Sequence, residues 1–155
     1  MTTPQSVAGK GFLAYLRKQE RLAQDKPRIG KNLSLKDEVV HLGQDPFLAF
    51  PETDFSDITI GKDNKPELRN QLIGFFGPYG ALPLNTTEEV SRWVNAGDTA
   101  FVRFTDIFAT RFQALYFRSW ADARAITQFD HDDGDRFSQY VAALIGKATP
   151  AWQRR

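Results

Sequence analysis

Near Pro83 the apolar residues of this chain change period, and that change limits the fold more than any other feature. Ahead of it lie short apolar runs punctuated by proline and glycine: Val39-Val40-His41-Leu42, then Phe47-Leu48-Ala49-Phe50 between Pro46 and Pro51. Phe55, Ile58 and Ile60 follow, before a turn-forming stretch at 61–66, and Leu68 to Phe76 alternates in part, polar early and apolar late. Such runs predict a small antiparallel sheet whose last strand becomes buried on both faces. Beyond Pro83 the spacing becomes helical. Phe101, Phe104, Phe108, Phe112 and Leu115 recur at steps of 3, 4, 4 and 3, and Ala100, Ile107, Ala114, Phe117 and Trp120 widen that stripe most of the way round. A helix apolar over so much of its surface reads as a central, buried one. The expected fold class is therefore α+β, a small antiparallel sheet followed by a helical bundle around one long aromatic-rich helix.

The remaining helices carry start and stop signals. Phe12, Tyr15, Leu16, Gln19, Leu22 and Ala23 give a first helix with one wet face. Thr86 or Thr87 with Glu88-Glu89 suits a helix start, because hydroxyls cap free N–H groups and acids favour that end of the dipole. That helix stops at Gly97, and Asp98 caps the long helix, which should run to about Arg124. Asp133 or Asp135 leads into a third, with Phe137, Tyr140, Val141, Leu144 and Ile145 on one face and Gly146 at its end. Thr149-Pro150 offers another start signal with no helix body after it, which suggests a piece of a longer protein. The expected organisation is a disordered N-terminus over 1–11, a single α+β domain over 12–148, and the start of a truncated following helix at 149–155.

Composition narrows the function. With 20 Lys+Arg against 19 Asp+Glu, no global field selects nucleic acid or membrane; the one basic loop, Lys26, Arg28 and Lys31, is the part a nucleic-acid binder would use. The absence of cysteine removes disulfides, thiolate nucleophiles and Cys-based metal sites together. No leader sequence or membrane span is expected. His41 sits in an apolar run and reads as packing. His131-Asp132-Asp133-Gly134-Asp135, with Asp130, resembles a metal site, but aligning Gly134 with the glycine of a calcium loop puts Phe129 first and no acid twelfth. No Lys-Ser/Thr follows Gly74, Gly77 and Gly80, so they make no phosphate loop. No catalytic residue, metal ligand or cofactor site is expected.

The stretch from Gly74 to Glu88 points instead to docking. Its glycines and prolines specify a backbone shape, yet it displays Phe75, Phe76, Tyr79, Leu82 and Leu84. Gly77, Pro78, Tyr79, Gly80, Leu82 and Pro83 are the candidate partner-binding residues. Arg111 and Arg118, seven apart on the less apolar flank of the long helix, could meet a partner's carboxylates, or else solvent or intrachain acids.

Gly77-Pro78-Tyr79-Gly80-Ala81-Leu82-Pro83, with Thr87-Glu88, resembles a segment of TssG, a baseplate subunit of bacterial type VI secretion systems. Further stretches are similar to the same family: Pro27-Arg28-Ile29-Gly30, Gln44-Asp45-Pro46-Phe47-Leu48-Ala49-Phe50-Pro51, Phe108 with Arg111 and Leu115-Tyr116-Phe117-Arg118 before Trp120, and Leu144-Ile145-Gly146 with Thr149-Pro150. Departures from the family pattern fall at Phe47, Tyr79, Asn85-Thr86 and Ala109-Thr110. Family members are about twice this length, so the resemblance makes this an N-terminal half. It implies a non-enzymatic cytoplasmic scaffold in a phage-tail-like, inner-membrane-docked baseplate, one TssG with two TssF copies per wedge around the VgrG hub, with TssE and TssK attached. The alternative is a small metal-binding or hydrolytic domain using the acidic loop 130–135.

Overall fold

The computed structural model describes residues 11–61, 63–131 and 135–147. Residues 1–10 of the expected disordered terminus and the helix start at Thr149-Pro150 lie outside the described residues; Gly11, the last of that terminus, is described as the N-cap of the first helix.

α1 (Phe12–Leu22) forms where Phe12, Tyr15 and Leu16 recur at helical spacing, and all three are buried. Gly11 has no side chain to cap it, so the Asp54 carboxylate, remote in sequence, accepts from the Phe12 N–H at 2.7 Å. Leu22, expected on the apolar face, is exposed, and Glu20 is buried instead.

Three strands, β1 (His41–Gly43), β2 (Phe55–Ile60) and β3 (Pro66–Asn70), form one sheet in the order β1-β3-β2. β2 and β3 are antiparallel, with Ile58 opposite Leu68, both buried. β1 joins β3 in parallel, so the sheet is mixed where an antiparallel one was expected. Two expected strand segments are irregular. Residues 47–50 carry no ladder between Pro46 and Pro51, neither of which can donate. β3 ends at Asn70 because its Oδ1 accepts from the N–H groups of Leu72 and Ile73, each at 3.1 Å, turning the chain out of the sheet.

Four helices follow: α2 (Leu84–Asn95), α3 (Ala100–Asp122), the short α4 (Ala125–Phe129), which the sequence did not announce, and α5 (Arg136–Leu144). α2 starts directly after Pro83 rather than at a threonine; Thr87 is inside it and fully buried. Asp135 caps α5 as the sequence suggested, accepting from the Ser138 N–H at 3.0 Å. The N-cap of α3 is Thr99 rather than Asp98, whose carboxylate accepts from the Ala100 N–H at 2.9 Å from one position further out.

The interior has two parts. The larger gathers Phe12, Tyr15 and Leu16 of α1, Leu42, Ile58 and Leu68 of the sheet, and Ala114, Phe117 and Ala121 of α3. The smaller gathers Phe76, Val90 and Val102, with Phe75, Leu82 and Phe101 against them. α3 spans both, but not through its phenylalanine stripe. Its buried residues are Val102, Thr105, Ala109, Gln113, Ala114, Phe117, Arg118 and Ala121, while Phe104, Phe108, Phe112 and Leu115 are 55, 45, 55 and 43% exposed. Small residues let the helix approach closely: the backbone oxygen of Ala114 lies only 2.8 Å from where a side chain on Gly30 would begin. Phe117 is the one aromatic ring on that side, and it fills the larger core.

Candidate functional site

The segment from Gly74 to Pro83 is a loop closed on itself by backbone hydrogen bonds, with a turn at its tip. The Ala81 N–H donates to Gly74 and the Leu82 N–H to Phe75, at 3.3 and 2.9 Å, and the Gly80 N–H closes the tip onto Gly77 at 3.0 Å. Pro78 and Tyr79 occupy the two corners of that turn. Leu82 points down into the smaller core, and Pro83 is exposed at the start of α2.

What holds the loop comes from elsewhere in the chain. Buried Gln44 accepts through Oε1 from the N–H groups of Phe75 and Phe76, at 2.7 and 2.9 Å, and donates through Nε2 to the Phe76 carbonyl at 3.1 Å. Gly74 is required there because a Cβ would overlap the Gln44 amide. Gly77 has a φ of +93° and lies against the end of the Phe47 ring, which leaves no room for a side chain. Its N–H points at the buried Thr87 hydroxyl, 3.4 Å away. Gln113 of α3 donates to the Ile73 carbonyl at 3.0 Å.

Gln44 is in turn fixed by Arg69. That guanidinium bonds Asp106 of α3 at 2.6 Å, Asp45 at 2.7 Å and the Gln44 carbonyl at 2.7 Å, while Asp106 accepts from the Gln44 N–H at 3.0 Å. Burial by itself would lower the Arg69 pKa; the two carboxylates outweigh it and hold the pKa above the ordinary value. Charge-assisted bonds from one planar guanidinium to three separate groups fix direction as well as distance.

Above this base the tip is bare. Tyr79 is 72% exposed and packs on Phe50, 71% exposed, with ring centroids 5.8 Å apart. Leu48 and Leu84 are exposed as well. The site can present a fixed aromatic surface, and no group in it is placed for bond-making chemistry.

The family model described as "Type VI secretion, TssG" matches residues 7–155. The chain belongs to the TssG family. No curated protein and no solved structure matches it. Members of the TssG family are components of the type VI secretion baseplate, and no helix among the described residues is long and apolar enough to cross a membrane.

The two candidate arginines sit differently. Arg111 is exposed, its Nη1 3.4 Å from the Gly30 carbonyl. Arg118 is turned inward, 6% exposed, donating to Glu20 at 3.1 Å and lying 3.1 Å from Asp122, so in this fold it meets acids of its own chain. Arg28, the centre of the basic loop, is likewise engaged, donating to the Thr127 carbonyl and lying 3.5 Å from Glu20. Of the acidic loop, Asp130 is bound by Arg17, and Arg21 is 3.5 Å away; those cations hold its carboxyl below the ordinary range, the hydrogen bond from Arg17 above all. Among the described residues no group of three His, Asp or Glu side chains could hold a metal ion. Residues 132–134 lie outside the described residues.

The sequence pointed to the loop and missed its supports, Gln44, Phe47, Phe50, Arg69 and Asp106. Both halves of the lock were visible as motifs, Gln44 to Phe47 and Gly74 to Gly77, but nothing in their spacing says that they meet.

Proposed function

We propose that this chain is a non-enzymatic scaffold of the type VI secretion baseplate wedge, docking through the 77–84 loop and the Phe50–Tyr79 pair. The supporting observation is a loop with a locked backbone and an exposed aromatic tip, in a chain that belongs to the TssG family. A surface already ordered loses little entropy on binding, and aromatic anchors are where interfaces concentrate their energy. The partner at this tip is a TssF subunit, two per wedge, with TssK, TssE and the VgrG hub completing a cytoplasmic assembly docked at the inner membrane.

The test is Phe50→Ala with Tyr79→Ala, co-expressed with the TssF homologue of the same system. Both side chains are exposed, so the melting temperature should change by no more than about 2 °C, while TssF recovery falls at least tenfold. Undiminished recovery would remove the tip from the interface. A steep fall in melting temperature with recovery intact would make the pair a structural cover.

A further inference from the structure

A second surface is built differently from the loop. On α3, Phe104, Phe108 and Phe112 follow one another at four-residue steps, and Arg103, Ile107 and Arg111 form the adjoining row, one residue earlier in each turn. Both rows face outward: Ile107 is 67% exposed, and Arg103 and Arg111 are exposed. Two neighbouring rows at four-residue steps are the ridges that one helix offers another. The rings are already packed, Phe104 on Phe108 edge to face at 5.4 Å and Phe112 beside Phe75 at 6.2 Å. Beside the second row lies a recess of about 230 Å³, lined by Ile107, Thr110 and Arg111 of α3 and by Asn32 and Leu33 across from them. It is large enough for one side chain of a visitor.

Charge says which visitor. The carboxylates of α3 are Asp106 and Asp122, and both are occupied, by Arg69 and Arg118. Among the described residues no carboxylate pairs with Arg103 or Arg111, so the apolar face has guanidinium groups along one side that form no ion pair within the chain. Glu38 lines the same recess and is paired with His41, 3.6 Å away. We propose that this face of α3 seats an amphipathic helix of a partner subunit, whose apolar ridge lies on the Phe104–Phe108–Phe112 row and whose flanking carboxylates meet Arg103 and Arg111. The inference rests on the scaffold reading and adds a contact separate from the loop tip.

The experiment uses the whole chain and two synthetic helices with the same leucine ridge, one flanked by glutamates and one by lysines. Fluorescence anisotropy should show the glutamate helix binding at least tenfold more tightly at low salt, with the difference shrinking as salt screens it. R103E with R111E should reverse the preference; both side chains are exposed, and circular dichroism verifies the fold. Equal binding of both helices, no binding of either, or a preference unaltered by the charge reversal would overturn the proposal. So would sedimentation showing that the chain dimerises through this face, which would make the occupant a second copy. Peptide preference absent while TssF is still recovered rejects this face alone; peptide preference intact with no TssF recovery rejects the scaffold reading.

Discussion

Gln44 and Glu20 are single side chains on which separate parts of the fold depend. Gln44 satisfies two backbone N–H groups and one carbonyl of the 75–76 segment. Gln44→Ala leaves those groups unpaired in a buried place, at about 1–3 kcal/mol for each. We expect a loss of roughly 3–5 kcal/mol by urea denaturation, with faster amide exchange at Phe75 and Phe76. Exchange unchanged there would mean that the loop holds its shape without this residue. Glu20 accepts from the Ile29 N–H at 3.0 Å and from Arg118 at 3.1 Å, and His131 Nε2 lies 3.4 Å from its second oxygen. Glu20→Ala removes the buried one of the two carboxylates on Arg118, leaving the half-exposed Asp122, and should cost about 2–4 kcal/mol, whereas Arg111→Ala, at an exposed site, should change stability by less than about 0.5 kcal/mol. Equal effects from the two would show that Glu20 does not anchor the buried cation.

At the scale of elements, α3 decides how stability and binding are divided. Phe117 is fully buried beside Ala114 and Ala121, so Phe117→Ala should cost about 3–5 kcal/mol. Phe108 is nearly half exposed, and Phe108→Ala should cost roughly 1–2 kcal/mol. Chemical denaturation of the pair reads the difference directly. Equal losses would return the phenylalanine stripe to the interior. α5 poses the same question more sharply: Phe137, Tyr140, Val141, Leu144 and Ile145 share a face as their spacing predicts, yet all are exposed, and Phe137, Val141 and Ile145 line a groove of about 420 Å³ shared with α4. Helical periodicity names the side that prefers cover and says nothing about what covers it.

Across the whole molecule, acid should act on the ties between α1 and the end of α4. The Asp130 carboxyl is held below its ordinary value of 3.8, first by the hydrogen bond from Arg17, then by the nearby charges. A carboxyl whose folded value is depressed adds stability above the unfolded value, and that contribution is lost as pH falls through the folded one. Glu38 works the other way: burial raises its value above 4.5, so its contribution is present at lower pH and lost as pH rises through the raised value. Stability should therefore hold near pH 4 and fall below about 3.8, with Asp130→Asn flattening that acid limb. Thermal melts from pH 6 to 2.5 test this, and an unaltered acid limb in Asp130→Asn would assign it to other carboxylates.

Sequence alone determined what depends on neighbouring residues. Helical spacing marks α1 and the helices after Pro83, Asp135 caps α5 because the N–H it reaches lies three residues ahead, and Gly77 is legible as a position of constrained backbone. The tertiary structure decided whatever depends on distances between remote segments. It placed β1 parallel to β3, brought Asp54 to the start of α1, seated Gln44 against Gly74, and turned Arg118 inward to Glu20. It also chose which side of α3 to bury. An apolar pattern that runs most of the way round offers several candidate faces; the one buried combines alanines, as at Ala114 where Gly30 comes close, with Phe117, which fills the larger core.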